Sequence, residues 1–303
     1  MTTRLDGRVA IVTGAGAGLG RAHALLLAQQ GAKVVVNDLG GAVNGVGGDQ
    51  AAADRVVAEI KAAGGEAAPN YDSVETPEGG AGIVETALKR FGRLDVLINN
   101  AGILRDKSFA KMELADFEKV LKVHLFGTAY CTKAAWPVMV EQKYGRVVVT
   151  TSVAGTSGNF GQANYAAAKL GLVGFMNALA IEGQKNNVLI NAVSPGANTR
   201  MTEGLVGDAI TAFMGPENVS PAVAWLASEA CNVTGTIITA AAGGFGRLHY
   251  FETAGVQFDP RQPITVDMFA ERFADIYGLD TVVPSTAGPA GYIDQRLKSA
   301  SLI

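Results

Sequence analysis

The segment RVAIVTGAGAGLG, residues 8–20, decides the fold of this chain. Its first half, Arg8–Thr13, is an apolar run typical of a strand buried on both faces. A glycine-rich turn, Thr13–Gly20, follows directly, and a helical pattern then runs from Leu19 to Gln30. Such a turn presents backbone N–H groups to a pyrophosphate at a helix N-terminus. The segment therefore predicts a dinucleotide site. Its candidate residues are Gly14, Gly18, Leu19 and Gly20.

The rest of the chain continues this alternation of short apolar runs and helical patterns. Further strands are predicted at Lys33–Asp38, Glu66–Asn70, Leu94–Asn99, Arg146–Thr151, Val188–Val193 and Thr236–Ala240. Apolar strands without a polar face indicate a parallel sheet covered by helices on both sides. We therefore predict an α/β fold of the Rossmann type, with a doubly wound sheet of about seven strands. Residues 1–245 form the catalytic domain, and residues 246–303 form an extension.

Composition excludes several classes of protein. Of the 303 residues, 48% are hydrophobic and 17% charged, which excludes a disordered chain. The net charge of −3 and the absence of a basic block argue against a nucleic-acid partner. No apolar run reaches 18 residues, so no membrane span is expected. Two cysteines and an N-terminus without a signal-peptide core fit a reducing compartment, and a cytoplasmic location is expected.

Acidic residues at two strand ends are candidates for binding the adenosine. Asp38 ends the second strand, 18 residues after Gly20, where a carboxylate accepts ribose hydroxyls and repels a 2′-phosphate. Since no arginine follows it, NAD is favoured over NADP. Asp72 and Ser73 follow the third strand and are candidates for the adenine edge; a plain loop role is nearly as well supported.

Three polar residues have the spacing of an acid–base centre. Ser152 follows a predicted strand, and Tyr165 and Lys169 come 13 and 17 residues later. Tyr165 and Lys169 are one helical turn apart, so a cation lies beside a phenol. A nearby positive charge stabilises the phenolate and lowers the pKa of the tyrosine. We therefore predict Ser152, Tyr165 and Lys169 as the catalytic residues.

These motifs together resemble the short-chain dehydrogenase/reductase family. The resemblance rests on Thr13–Gly20, Asn99–Gly102, Ser152, Tyr165-x-x-x-Lys169 and Ser194–Gly196. It implies that Asn99, Ala101 and Gly102 line the adenosine and central sheet, and that Pro195, Gly196 and Thr199 lie at the nicotinamide. It also implies that Lys169 binds the nicotinamide ribose. In many members of the family, an asparagine in the helix before the catalytic strand helps to hold a water in a proton relay from the lysine. His124 occupies the matching position here. It either replaces that asparagine in the relay or is only a packed helix residue.

Less common segments narrow the resemblance. Residues 37–41, 101–106, 123–125 and 158–165 are similar to the (3R)-hydroxyacyl-CoA dehydrogenase domains of the type 2 peroxisomal multifunctional enzymes, also classed as type 4 17β-hydroxysteroid dehydrogenases. The resemblance implies NAD-dependent oxidation of a (3R)-3-hydroxyacyl-CoA with a fatty or sterol-derived acyl group. A dehydrogenase of free 17β-hydroxysteroids and a non-catalytic NAD-binding regulator remain alternatives. Arg105, Lys107 and Arg200 are candidates for the CoA phosphates, although ordinary surface roles are favoured.

Several regions carry further expectations. The segment Thr199–Met214 is expected to cover the substrate, with Leu205, Val206, Ile210 and Phe213 as its apolar wall. The extension is expected to leave the domain through a flexible turn at residues 243–246 and to contain one helix, Val266–Tyr277, capped by Thr265. It either encloses the substrate or packs on the outer helices. Helices 113–139 and 162–184 carry surplus apolar residues, which predicts a homodimer or homotetramer. No metal site is predicted, because no histidine or cysteine has ligand spacing.

Overall fold

The computed structural model describes residues 2–202, 207–284, 293–294 and 297–298. By its internal contacts the chain divides into two compact units, Met1–Arg247 and Leu248–Ile303. The candidate site residues all lie in the first unit.

The first unit is built on one sheet of eight strands in the order β3-β2-β1-β4-β5-β6-β7-β8. The strands are β1 Val9–Thr13, β2 Lys33–Asn37, β3 Ala67–Asn70, β4 Val96–Asn99, β5 Gly145–Thr150, β6 Val188–Gly196, β7 Ile237–Ala241 and β8 Gly244–Leu248. Strands β1 to β7 pair in parallel. The predicted parallel, doubly wound sheet is confirmed, and it has one more strand than expected.

Helices cover both faces of this sheet. They are α1 Gly18–Gln29, α2 Ala51–Ala62, α3 Pro77–Phe91, α4 Leu114–Leu121, α5 Gly127–Gln142, α6 Val153–Ser157, α7 Ala163–Gly183, α8 Asp208–Thr211 and α9 Ser220–Ala227. A π-helical turn, Lys122–Phe126, joins α4 to α5. The central strands carry small and branched apolar side chains that the helices bury, and all five residues of β1 are buried. This packing explains why the strand segments show no polar alternation.

The extra strand, β8, corrects the expectation of a flexible turn at residues 243–246. Ala242 and Gly243 both have positive φ, 47° and 78°, and form a two-residue connection from β7 to β8. A connection this short joins antiparallel strands, and positive φ at both positions matches the right-handed strand twist. Gly244–Leu248 therefore ends the sheet as an antiparallel edge strand.

The second unit contains β9 Phe251–Thr253 and β10 Val282–Pro284, which pair antiparallel, and two short helices. The predicted helix over 266–277 is wrong in one respect, because it is broken at Arg272 into α10 Val266–Glu271 and α11 Phe273–Tyr277. The predicted cap is present, since Thr265 Oγ1 accepts the Met268 N–H at 3.2 Å. The expectation that this extension encloses the substrate stays a prediction.

One segment, Ala163–Asn186, is long and apolar enough to cross a membrane, judged by length and composition alone. The segment comprises α7 and one further turn, and 39% of its most apolar window is buried within the chain. Helix α7 packs on β6 and buries the polar side chains of Asn164 and Lys169. Core packing therefore accounts for part of its apolar composition.

Candidate active site

The glycine-rich turn lies at the point where the strand order reverses, between β1 and β4, and this is where open α/β sheets bind ligands. A Cβ at position 14 would lie 2.7 Å from Ala101 Cα, and one at position 20 would lie 2.1 Å from Gly14 O. Gly14 and Gly18 also have positive φ, 64° and 53°. Only glycine fits these positions, and the backbone that results leaves a cradle with room for phosphates at the start of α1.

Asn100 and Thr13 fix this turn against the end of β4. Asn100 Nδ2 donates to the carbonyls of Thr13 and Gly14, each at 3.1 Å, and Thr13 Oγ1 accepts the N–H groups of Asn100 and Ala101. The neighbouring Asn99 points away from the turn, since its amide donates to Thr132 Oγ1 at 3.1 Å. The structure therefore gives the side chain of Asn99 no contact with the cavity. Adjacent side chains at a strand end point to opposite faces, but no sequence signal shows which of Asn99 and Asn100 faces the turn.

Asp38 is held at the end of β2 by two backbone donors. Its carboxylate accepts the Gly16 N–H at 2.7 Å and the Gly40 N–H at 2.6 Å. A Cβ at position 16 would lie 2.9 Å from the Asp38 carboxylate, which explains the glycine there. Each carboxylate oxygen has lone-pair capacity left for a hydroxyl donor. The side chain is thus positioned to accept the hydroxyls of a ribose in the cavity.

Asp72 and Ser73 lie beside the same cavity, and their side chains also stabilise the loop after β3. Asp72 accepts the Asn70 amide at 2.7 Å, and Ser73 Oγ accepts the Glu75 N–H at 3.2 Å. Both the ligand role and the loop role considered for these two residues remain compatible with this geometry.

One cavity joins the predicted cofactor residues. Its lining includes Gly14, Gly18, Leu19, Gly20, Asp38, Asp72, Ser73, Ala101, Gly102 and Thr199. Five other residues predicted to bind the cofactor do not line it: Asn99, Tyr165, Lys169, Pro195 and Gly196. Arg200, a predicted phosphate candidate, lies on its wall. A glycine cradle and a ribose-facing carboxylate in one cleft fit a dinucleotide, with pyrophosphate at the turn and adenosine near Asp38.

Ser152 and Tyr165 are two of the three residues predicted to be catalytic. Ser152 follows β5 and caps α6, with its Oγ accepting the Ala154 N–H at 3.1 Å. Burial raises the pKa of Tyr165 above its usual value, and the neighbouring Ser152 hydroxyl, which favours the ionised phenol, only partly opposes this effect. The phenol is therefore neutral near pH 7 with these neighbours alone.

Lys169 is buried beneath the tyrosine. Its Nζ donates to the Thr150 carbonyl at 2.6 Å and lies 5.4 Å from the centroid of the Tyr165 ring. Burial lowers the pKa of this amine from 10.5 to about 7. The two side chains are neighbours, as their spacing predicted, and the role of Lys169 in lowering the pKa of Tyr165 stays a prediction. A positive charge above the phenol would lower its pKa by direct attraction.

His124 lies on the π-helical turn and packs edge-on against Tyr165, with ring centroids 5.2 Å apart. Its Nε2 is 2.8 Å from the Ile103 carbonyl and 3.0 Å from the Ile103 nitrogen. Burial and the nearby Lys169 hold the pKa of His124 well below 6.5, so the ring is neutral. Nδ1 is buried without a partner among the described residues. The contact with Ile103 shows a packing role, and the relay role stays a prediction.

The outer part of the site carries both polar and apolar groups. Asp106 accepts the Gln162 amide at 2.6 Å, and the Asp106 charge acts on Tyr165. Burial raises the pKa of Asp106.

Of the four residues predicted to form the apolar wall of the substrate pocket, Ile210 and Phe213 are exposed, whereas Leu205 and Val206 lie outside the described residues. Among the described side chains, no group of three or more His, Cys, Asp or Glu could hold a metal ion.

Comparison with known proteins agrees with this geometry. The sequence profile of the family described as short chain dehydrogenase matches residues 8–208. Peroxisomal multifunctional enzyme type 2 of Drosophila melanogaster is 50% identical over 275 residues, which cover 90% of this chain and 46% of that protein. The solved structure of that full-length enzyme superposes with a TM-score of 0.81 and 41% identity, covering 98% of this chain and 50% of the other. The chain thus spans about half the length of this relative.

Two relatives match over nearly their whole length. A short-chain type dehydrogenase/reductase of Mycobacterium tuberculosis is 50% identical over 272 residues, 90% of this chain and 94% of the relative. A 7α-hydroxysteroid dehydrogenase, solved with NADH and 7-oxo glycochenodeoxycholic acid, has 30% identity and a TM-score of 0.72 over 80% of this chain and 96% of its own. The chain therefore belongs to the short-chain dehydrogenase family, and it is an oxidoreductase that uses a nicotinamide cofactor to act on a secondary alcohol.

Proposed function

We propose that this chain catalyses the NAD-dependent oxidation of a (3R)-3-hydroxyacyl-CoA to the 3-oxoacyl-CoA. The observation that carries this proposal is the pairing of Tyr165 with the buried Lys169. His124 packs on Tyr165 and contacts Ile103, which lines the same cavity as Asp38. The acyl-CoA substrate is what the resemblance to (3R)-hydroxyacyl-CoA dehydrogenase domains implies, and the 50% identity to peroxisomal multifunctional enzyme type 2 supports that resemblance. The acyl group is fatty or derived from a sterol side chain.

The preference for NAD rests on Asp38. Its carboxylate is fixed by the Gly16 and Gly40 N–H groups, so it cannot swing away from a ligand without losing two hydrogen bonds. A 2′-phosphate would meet this negative charge at short range, whereas a 2′-hydroxyl can donate to it. Leu39 and Gly40 follow Asp38, and neither can neutralise a phosphate.

The residues of the chain move one proton during the reaction. A bound oxidised nicotinamide would supply the acceptor for the hydride of the alcohol carbon and a positive charge that favours the phenolate. Tyr165, as phenolate, takes the hydroxyl proton as the carbonyl forms. Ser152 donates a hydrogen bond to the substrate oxygen, and Lys169 binds the ribose hydroxyls and stabilises the phenolate when protonated. Positioned proton transfer of this kind contributes about 10²–10⁴-fold to the rate.

Dehydrogenation of a free hydroxysteroid is the second candidate function. It is favoured by the likeness to a solved hydroxysteroid dehydrogenase and by the exposed apolar side chains of Ile210 and Phe213. A non-catalytic NAD-binding protein is the third candidate, and it gives no reason to bury the Lys169 amine next to the Tyr165 ring.

An NADH-formation assay separates these candidates. The protein is supplied with NAD⁺ or NADP⁺ and with (3R)-hydroxyacyl-CoA of several chain lengths, the (3S) isomers as matched controls, and 17β-hydroxysteroids. The proposal expects turnover of the (3R) thioesters with NAD⁺ and none of the (3S) isomers. Turnover of the steroid alone would replace it with the second candidate. Dinucleotide binding without turnover of any secondary alcohol would support the third.

We further propose that the protein is a homodimer or homotetramer that works in the cytoplasm. Large apolar side chains are exposed on α4, on the π-helical turn and on α7: Leu114 at 71%, Phe126 at 47%, Leu170 at 44% and Ile181 at 64%. Faces of this kind on a monomer indicate an interface. Light scattering at micromolar protein is expected to give particles of two or four chains of 31.3 kDa. Particles of one chain only would refute the assembly.

A further inference from the structure

The ten-residue glycine-rich loop between β2 and α2, residues 39–48, is an ordered wall of the cofactor cavity. Leu39, Gly41, Ala42, Val43, Gly45 and Gly47 line that cavity. The loop is held internally, since the Ala42 N–H donates to Val46 O and the Asp49 N–H donates to Leu39 O, each at 2.9 Å. It therefore lies on the side of the cavity where Asp38 positions the ribose.

The tip of this loop is attached to the segment that follows β4. Val43 O accepts the Leu104 N–H at 2.9 Å, and Asn44 O accepts the Arg105 Nε–H at 3.0 Å. A Cβ at position 45 would lie 3.1 Å from Ile103, so the backbone of the loop packs closely on that side chain. The loop is thus fastened at its tip by residues 103–105 as well as at its two ends.

The other side of residues 103–105 is attached to the catalytic group. His124, which packs on the Tyr165 ring, contacts the backbone of Ile103. Asn164, fully buried, donates its amide to the Arg105 carbonyl at 3.0 Å. The Asn164 Oδ1 accepts the N–H of Tyr165 at 2.7 Å. One residue, Arg105, therefore bonds the loop through its side chain and the catalytic helix through its backbone.

We propose that Arg105 is a positioning residue that couples the glycine-rich loop to Tyr165, so that binding of the adenosine half of the cofactor fixes the catalytic tyrosine. The inference rests on the proposed function, because it requires a dinucleotide in the cavity. The Arg105 side chain is only partly exposed and its Nη1 pairs with Asp116 at 2.8 Å, which orients the guanidinium so that Nε reaches Asn44. Because the Arg105 guanidinium already donates to Asn44 O and Asp116, it is less available to bind a CoA phosphate.

The test compares R105M, R105K and D116N with the unaltered protein. NADH affinity is measured by fluorescence titration, kcat and KM for NAD⁺ by NADH formation, and stability by thermal unfolding. R105M removes the loop contact, and losing one hydrogen bond with a charged donor is expected to weaken NADH binding and to raise the KM for NAD⁺ by about 10-fold or more. The coupling also predicts a fall in kcat, because Tyr165 is less well positioned. R105K, which restores the charge but not the Nε donor, is expected to recover less than half of the loss.

The matched control is D116N, which keeps an oxygen acceptor for Arg105 but removes the ion pair. It should leave NADH affinity and kcat within about two-fold of the unaltered protein, because the amide oxygen still accepts from Nη1 and keeps the guanidinium oriented toward Asn44. If D116N lowered NADH affinity and kcat as much as R105M does, the loss could not be assigned to the contact between Arg105 and the loop, and the proposal would be overturned. Unchanged affinity and kcat in R105M, with a lowered melting temperature only, would overturn the coupling and leave the proposed function standing. If R105M does not fold, the same readouts on R105K decide. Failure of the unaltered protein to bind any dinucleotide would overturn both.

Discussion

Lys169→Met is expected to abolish turnover and to stabilise the folded protein at neutral pH. Lys169 is 3% exposed, and burial lowers the pKa of its amine from 10.5 to about 7. Since one pKa unit corresponds to about 1.4 kcal/mol, this shift represents a cost of at most about 5 kcal/mol to the folded state. The hydrogen bond to the Thr150 carbonyl, about 1.5–3 kcal/mol for a charged donor, offsets part of it. Methionine fills a similar volume without the charge, so we expect a net gain of about 2 kcal/mol.

The free energy of unfolding is also expected to depend on pH through Lys169. Between about pH 7 and 10.5 the unfolded chain binds a proton at Lys169 that the folded protein leaves off, so the contribution of Lys169 to stability rises with pH. The variant lacks this dependence. The stability of the unaltered protein relative to Lys169→Met should therefore rise by about 2 kcal/mol from pH 7 to about pH 9.

Urea unfolding of both proteins at these two pH values, at one protein concentration, measures the difference. Lys61→Met, at an exposed lysine near the end of α2, is the matched control and should follow the unaltered protein at both pH values. A stability difference between the unaltered protein and Lys169→Met that does not change with pH would refute the reasoning. It would mean that Lys169 keeps its proton in the folded protein throughout this range.

Three further substitutions test the site and the fold. Asp38→Ala should raise the KM for NAD and reduce the difference between the KM values for NAD and NADP in steady-state kinetics. An unaltered protein that uses both cofactors equally would contradict the role of Asp38. Tyr165→Phe should lower turnover by at least about 10²-fold while NADH titration shows nearly unchanged affinity, and near-normal turnover would exclude the mechanism. Asp95→Asn should destabilise the fold by about 3 kcal/mol in urea unfolding, because the fully buried carboxylate accepts from Arg8, Arg93 and the Val9 N–H. A loss below about 1 kcal/mol would show that these arginines find other partners.

Much of the fold and of the catalytic group could be predicted because their signals are local. Strands buried on both faces have no polar alternation, so the seven parallel strands were recognisable as apolar runs. The strand β8 was missed because Gly244 and Gly246 favour a turn when considered alone. Its pairing with β7 and the two positive φ values at Ala242 and Gly243 outweigh that preference. The single helix predicted over 266–277 was wrong because the apolar periodicity continues through Arg272, where the structure breaks the helix in two. Here the local pattern indicated more regular structure than the fold contains.

The sequence by itself determined the glycine cradle, the carboxylate after β2 and the spacing of Ser152, Tyr165 and Lys169. Each of these depends on residue type and on the period of one helix or strand. Only the tertiary structure decided that Asn100 rather than Asn99 supports the cradle, and that Arg105 bonds the glycine-rich loop. These contacts join residues that are far apart in the chain, and no local pattern encodes them. Burial likewise lowers the pKa of Lys169, because desolvation depends on what the whole fold packs around the amine.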